Sequence, residues 1–371
     1  MSDPWITVFG SATDAEEATA AAGVIAANWM GNGPVVRQFE ADFARHLGVP
    51  DAVMVNSGSN ALHLAVRLLD LPAGSEVVVP SFTWVACAHA IILAGCRPVF
   101  CDVDVATMNV TAETVAAQLG PRTRAVMVVH YAGKPVRMDD ILALGLPVIE
   151  DAAHAVDSGL NGRRCGTMGR VGVFSFDAVK NIASPDGGAV IAHGAEMLET
   201  ARRLRQCGIG KTGAEAALEG GRWWEHEIVE PFPRYLPNDV AAAVARVQLA
   251  KLPRLQTRRQ AIWRRYQTEL TGVPWLHPPV DAAKDEVHSF FTYPVRLDNG
   301  RRDALAWHLY ERKIYTTLRY HPLHLSDIYQ TGRPLANTEQ LARDVLSLPL
   351  HPRMSDGDVA RVISGIRDFK A

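Results

Sequence analysis

Residues 53–104 read VMVNSGSNALHLAVRLLDLPAGSEVVVPSFTWVACAHAIILAGCRPVFCDVD. Short β-branched runs (VMV, EVVV, PVFCDV) alternate with stretches that carry alanine and leucine at helical spacing (NALHLAVRLLDL, TWVACAHAIILAG). Alternation of this kind predicts a parallel sheet covered by helices. Outward from it, the pattern continues through RAVMVVHYAG, PVIEDAAHAV, VGVFSF and GGAVIAH, ending near His193.

Upstream, residues 13–30 have helical spacing until Gly31, Gly33 and Pro34 break the chain, and Gln38 to Leu47 reads as an amphipathic helix. These form an arm before the sheet. Downstream, EMLETARRLRQCG reads as helix, and KTGAEAALEGGRWW, glycine-rich and without a period, as a surface loop. NDVAAAVARVQLAKLPRLQTRRQAIWRRYQTEL reads as a long helix broken at Pro253. SFFTYPVRL is then a strand, and RDALAWHLYERK and SDGDVARVISGIRDF are helices, the last with Ser355 as N-cap. The expected fold class is α/β: an arm and a large domain with a mostly parallel sheet between helices over 1–254, and a smaller C-terminal α/β domain over 255–371.

With 48% hydrophobic and 21% charged residues over 371 positions, the chain has the composition of an ordinary globular protein. A net charge of -2, with both signs interspersed, gives no field able to hold nucleic acid. Cys87, Cys96, Cys101, Cys165 and Cys207 are scattered, without a C-x-x-C pair, and the histidines lack metal-ligand spacing, so no metal site is expected. Free thiols fit a reducing compartment. No apolar stretch approaches the ~20 residues of a membrane span, so the expected location is cytoplasmic.

Four weak signals fall at strand ends. Asn56-Ser57-Gly58-Ser59-Asn60 precedes a helix, where backbone N–H groups and hydroxyls can cradle a phosphate, although such a run is also an ordinary turn and cap. Trp84 follows EVVVP and could stack on a flat heterocycle or simply pack. Asp151 ends the strand PVIED, at the sheet edge where α/β folds keep ligands, or else caps a helix. Lys180 follows FSFDAV and precedes a glycine turn, a setting in which desolvation can make a lysine nucleophilic. Ser175 adds a hydroxyl nearby. Their order brings all of them to one edge of one sheet.

As a set, these residues resemble the DegT/StrS type of sugar aminotransferase, fold type I among pyridoxal phosphate enzymes. The resemblance spans nearly the whole chain, through GNGPVVRQFEADFARHLGV, VNSGSNALHLAV, VVVPSFTWVACAHAIILAGCRPVFCDVD, VIEDAAHAVDS, FSFDAVKNIASPDGGAV, VQLAKL, TLRYHPLH and LSLPLHPRMSDGDV. It implies an aspartate aminotransferase-like fold and pyridoxal 5'-phosphate as cofactor. Residue by residue, it makes Lys180 the cofactor-bearing lysine and Asp151 the partner of the pyridine nitrogen. His154 would lie near the ring's 3-oxygen, Trp84 would stack on the ring, and Gly58, Ser59, Asn60 and Ser175 would hold the phosphate. It further implies a homodimer whose sites are each completed by the neighbouring chain.

The sequence departs from the family in three places. Ser-Gly-Ser replaces the usual Ser-Gly-Thr, and Pro185-Asp186-Gly187-Gly188 replaces Gly-Glu-Gly-Gly. In PFPRYLPNDVAAAV, Arg234 stands where relatives carry an Asn or Lys near the cofactor phosphate of the other subunit. Lys180 itself is retained, whereas a histidine there marks the family's 3-dehydratases. The expected activity is transfer of an amino group from an amino acid, glutamate by resemblance, to a keto sugar, expected to be nucleotide-linked, or to a keto-cyclitol, in amino-sugar or natural-product biosynthesis. Arg319, His321 and His324 are candidate substrate clamps. The alternatives are a pyridoxal phosphate lyase or dehydratase on a keto-deoxysugar, and a non-catalytic regulatory protein of the same fold.

Overall fold

The β-branched runs become the strands of one seven-stranded sheet: β1 (Val53–Val55), β2 (Glu76–Pro80), β3 (Arg97–Cys101), β4 (Thr123–Val129), β5 (Val148–Asp151), β6 (Val171–Ser175) and β7 (Gly188–Ala192). Their spatial order is β1-β7-β6-β5-β4-β2-β3. This is a computed structural model, and it describes residues 4–210, 217, 222–329 and 332–370. Most of the expected loop KTGAEAALEGGRWW lies outside the described residues.

All neighbours in the sheet are parallel except β7, which runs antiparallel to both β1 and β6. A parallel return needs a crossover, usually a helix, and residues 176–187 contain none, so GGAVIAH folds straight back. Hydrophobic alternation carries no information about direction. Both faces of the sheet are buried: Met54 and Val78 join one core, and Val53, Val55, Val77 and Val79 the other.

The helices of the arm, α1 (Ala15–Ala26) and α2 (Pro34–Leu47), differ at their ends from the sequence reading. α1 is the shorter, opening with a capping box of Asp14 and Glu17. α2 starts at Pro34, a turn before Gln38, because proline at the first helical position has no N–H to leave unpaired. The Val35 and Val36 N–H groups are instead capped by the Asp239 carboxylate at 3.3 and 2.9 Å. Phe39 and Phe43 of α2 meet Phe176 edge-on at 5.0 and 5.1 Å, which seats the arm on the sheet.

α3 (Gly58–Leu68) and α4 (Ala86–Leu93) cover the opposite face. α5 (Asp239–Leu270) runs unbroken through Pro253, where the sequence predicted a break. The interior proline costs about 3 kcal/mol. Burial of Val244, Ala245, Leu252, Leu255, Ile262 and Trp263 along the same helix outweighs it. α5 ends in a third core that gathers Ile6, Tyr266, Tyr293, Leu305, Leu346 and Ile363. Around that core lie a three-stranded antiparallel sheet and the helices Arg301–Glu311 and Asp356–Arg367, the latter capped by Ser355. SFFTYPVRL becomes a strand only from Tyr293. No helix among the described residues is long and apolar enough to cross a membrane.

One buried carboxylate holds the site edge of the sheet together. Glu150 of β5 accepts His130 Nε2–H at 2.9 Å and the N–H groups of Gly166, Met168 and Gly169. Behind it, a Cβ on Gly172 would lie 1.8 Å from the Gly166 carbonyl oxygen. Gly172→Ala is therefore expected to destabilise the cofactor-free protein by about 3 kcal/mol or more, read as an earlier midpoint in urea unfolding.

Candidate active site

The carboxyl ends of β1, β2, β5 and β6 open onto a cavity of about 440 Å³. Its walls include Ser57, Gly58, Ser59, Trp84, Asp151, His154, Ser175, Lys180 and Arg319. Eight of the candidate site residues thus share one wall, and six of them, Gly58, Ser59, Trp84, Asp151, Ser175 and Lys180, do so as their order along the chain predicts.

At one end, the N-terminus of α3 faces the cavity. Ser57 caps it by accepting the Asn60 N–H at 3.2 Å. A Cβ on Gly58 would come within 2.7 Å of Ser175 Cβ, so only glycine lets β6 approach this turn. On its other side, a Cβ on Gly188 would lie 2.6 Å from the Ser57 carbonyl oxygen. The result is a turn with free backbone N–H groups, two serine hydroxyls and the positive end of a helix, which suits a phosphate. Asn60 is not in the cavity wall; its side-chain amide donates to Asn56 at 2.7 Å.

Asp151 is buried, with Oδ1 accepting the Ala153 N–H at 3.0 Å and Oδ2 the Cys87 thiol at 3.2 Å. The Lys180 amine lies 4.8 Å from the centre of the Phe291 ring. Burial, and then the positive charge of Arg319, lower its pKa to about 8, against the pull of Asp151 and Asp177. His154 stacks on Phe291 at 4.1 Å and meets the Tyr320 hydroxyl through Nε2 at 3.0 Å. Burial, with Lys180 and Arg319, holds its pKa well below the ordinary value, so the ring is neutral. Its Nδ1 is buried without a partner.

Arg319, 6% exposed, lies between the rings of Phe9 and Phe291, at 4.2 and 4.8 Å. No carboxylate pairs with it among the described residues, and its Nε is an unpartnered buried donor. The other clamp candidates lie elsewhere. His321 is exposed and outside the cavity wall, and His324 is buried against Ser81 Oγ at 2.7 Å and Glu339 at 3.3 Å. Arg234 is exposed and also outside that wall.

Sequence reasoning missed Phe9, Thr83, Cys87, Phe291 and Tyr320. Phe9 and Phe291 arrive from the arm and from the turn before Tyr293, with no local pattern to mark them. Thr83 and Cys87 flank Trp84 and were legible only as helix-start residues.

Donor set and cavity fit pyridoxal phosphate: a phosphate cradle, a buried carboxylate, a lysine of lowered pKa and an unpartnered imidazole nitrogen in one wall. Residues 11–367 match the DegT/DnrJ/EryC1/StrS aminotransferase family. The chain is 42% identical over 354 residues to the dTDP-4-dehydro-2,3,6-trideoxy-D-glucose 4-aminotransferase of Saccharopolyspora spinosa, covering 94% of this chain and 92% of that one. Among solved structures it is similar to the aminotransferase TlmJ from Streptoalloteichus hindustanus, with 43% identity, a TM-score of 0.93 and 98% of each chain covered. It is also similar to DesV of S. venezuelae, with 34% identity, a TM-score of 0.89 and 99% and 98% of the two chains covered.

Proposed function

We propose, from the premise that this chain belongs to the DegT/DnrJ/EryC1/StrS aminotransferase family, that it moves an amino group from glutamate to a nucleotide-linked keto-deoxysugar with Lys180 as the catalytic residue. The observation that carries the assignment of residues is the convergence of Lys180, Asp151 and the Ser57-Gly58-Ser59 turn on one cavity. When bound, pyridoxal phosphate supplies the electron sink that stabilises negative charge at the carbon losing its proton.

In this reading, the residues divide the work. Gly58, Ser59 and Ser175 bind the phosphate, with Ser57 and Asn60 shaping the turn. Asp151 would keep a proton on the ring nitrogen, Trp84 would stack on the ring, and His154, with its unpartnered Nδ1, would lie near the 3-oxygen. Lys180 would hold the cofactor at rest, and its freed Nζ would carry the proton from the donor's α-carbon to the cofactor carbon on the far side of the amino nitrogen. With a pKa near 8, the amine exists in both protonation states at working pH.

Arg319 is the proposed clamp for the donor carboxylate, because it is a buried guanidinium with no acid of its own among the described residues. Arg319→Met, which keeps an apolar chain between the two rings, is expected to raise KM for glutamate about tenfold or more, equivalent to about 1.4 kcal/mol. Removing the neighbouring positive charge should also raise the Lys180 pKa above about 8, which a pH titration of cofactor capture measures. An unchanged KM would reassign the clamp.

The acceptor class rests on the Saccharopolyspora relative, whose named substrate is a dTDP-linked 4-keto-deoxysugar. We further read the third core as that of a small domain, with α5 joining it to the large one, and the molecule as a homodimer. Trp84 is 56% exposed, and Ser59 and Arg234 are also open, which supports a second chain closing the site. Five free cysteines support a reducing, cytoplasmic setting.

The decisive experiment loads purified protein with the cofactor, adds glutamate, and follows both the visible band and 2-oxoglutarate. Loss of the band with stoichiometric 2-oxoglutarate is expected. Water or ammonia released from a keto-deoxysugar without 2-oxoglutarate would instead mark a lyase or dehydratase. Absence of any visible band would overturn the assignment.

A further inference from the structure

Asp151 is gripped on both oxygens, and the two grips come from different elements. Oδ1 takes an N–H from its own turn, at Ala153, and Oδ2 takes the thiol of Cys87 in α4. Thr83 Oγ1 lies 3.4 Å from the same sulfur. An ionised carboxylate has no proton to give, so the single thiol hydrogen goes to Asp151, and the Thr83 hydroxyl is the donor to sulfur. The bonds therefore run one way, from Thr83 to Cys87 to Asp151.

Cys87 is fully buried. Burial, and then the Asp151 charge, push its thiol pKa well up, so it stays a protonated donor across the working range. Thr83 belongs to the cavity wall at the end of β2, while Asp151 belongs to β5. The thiol thus ties two strand ends across the sheet. A thiol is also a weak donor, and it draws less charge from a carboxylate than a hydroxyl or an imidazole would.

We propose that Cys87 is the positioning residue of Asp151: its thiol, oriented by Thr83, fixes the rotation of the carboxylate while leaving most of the negative charge for the cofactor's ring nitrogen. The proposal rests on the reading of Asp151 given above. Rotation matters because one carboxylate oxygen must remain in line with the ring nitrogen, and a single N–H on Oδ1 leaves the group free to turn.

The test uses the holoenzyme and the glutamate half-reaction, so it needs no sugar acceptor. Cys87→Ala is expected to lower the limiting rate about tenfold, with the half-saturating glutamate concentration changed less than about twofold. It should also move the pH midpoint of the bound cofactor's visible band by about half a unit or more. Cys87→Ser, which restores a donor, should bring the rate back to within about threefold of wild type. Wild-type rate and midpoint in Cys87→Ala would overturn the proposal. So would equal slowing of both variants with equally lowered melting temperatures, the signature of packing alone. Failure of the wild-type protein to form a visible band or to respond to glutamate would instead overturn the underlying assignment of Asp151 and Lys180.

Discussion

Lys180→Ala is expected to retain cofactor in the phosphate cradle without a covalent bond and to lose about 10³-fold or more of the glutamate half-reaction. Proton transfer by a positioned base contributes up to about 10⁴-fold, and no other group is proposed to move the proton. His154, neutral and fixed against Phe291 and Tyr320, has no freedom to follow the proton. Stopped-flow spectra give the rate, and denaturing gel filtration shows whether the cofactor is still attached. Residual activity within tenfold of wild type would remove Lys180 from the mechanism.

The same substitution should stabilise the cofactor-free protein. In the fold, the Lys180 amine has a pKa near 8, below its ordinary value of 10.5, so the folded chain binds this proton less tightly than the unfolded chain does. Below pH 8 both states are protonated and the penalty is fully present. Between pH 8 and 10.5 the unfolded state holds the extra proton, stability rises with pH, and the penalty disappears. Lys180→Ala should therefore melt higher than wild type at pH 7, with the gap closing towards pH 10. A buried lysine of lowered pKa thus costs the fold stability, which the proposed role of Lys180 would account for.

Asp151→Asn is expected to lower the limiting rate about 10²–10³-fold while leaving glutamate binding nearly intact. The amide matches the carboxylate in shape but carries no charge to hold a proton on the ring nitrogen, so the transition state loses more than the ground state. Its oxygen can still accept the Cys87 thiol or the Ala153 N–H, which keeps the fold out of the comparison. Rate and half-saturation from the same half-reaction check this. A loss below about threefold would mean that Asp151 is not the partner of the ring nitrogen.

The site was legible because the parallel strands translate sequence order into place. Once Ser57–Ser59, Trp84, Asp151, Ser175 and Lys180 were read as strand ends, the sheet itself brought them together. Residues that reach the cavity wall, or pack behind it, by other routes left no such trace. Phe9 comes from the arm, and Phe291 and Tyr320 from beyond α5, so their contacts depend on how distant segments pack. The direction of β7 and the continuity of α5 through Pro253 were also hidden. In one case a short link decides, in the other the summed burial along 32 residues. His321 and His324 show the reverse: polar residues close to Arg319 in sequence that the fold turns to exposed surface and to Ser81.

The third core closes only when both ends of the chain reach it. Ile6 pairs with Ile314, and the Pro4 carbonyl accepts from Arg361 at 3.2 Å. On the ribosome, the segment around Pro4 and Ile6 must therefore stay unpaired until Ile314 and Arg361 have emerged, while the sheet can assemble as its strands appear. Phe9, which stacks on Arg319, belongs to that waiting segment. The contact of Phe9 with Arg319 would thus be completed only after the strand ends that carry the Ser57–Ser59 turn have come together.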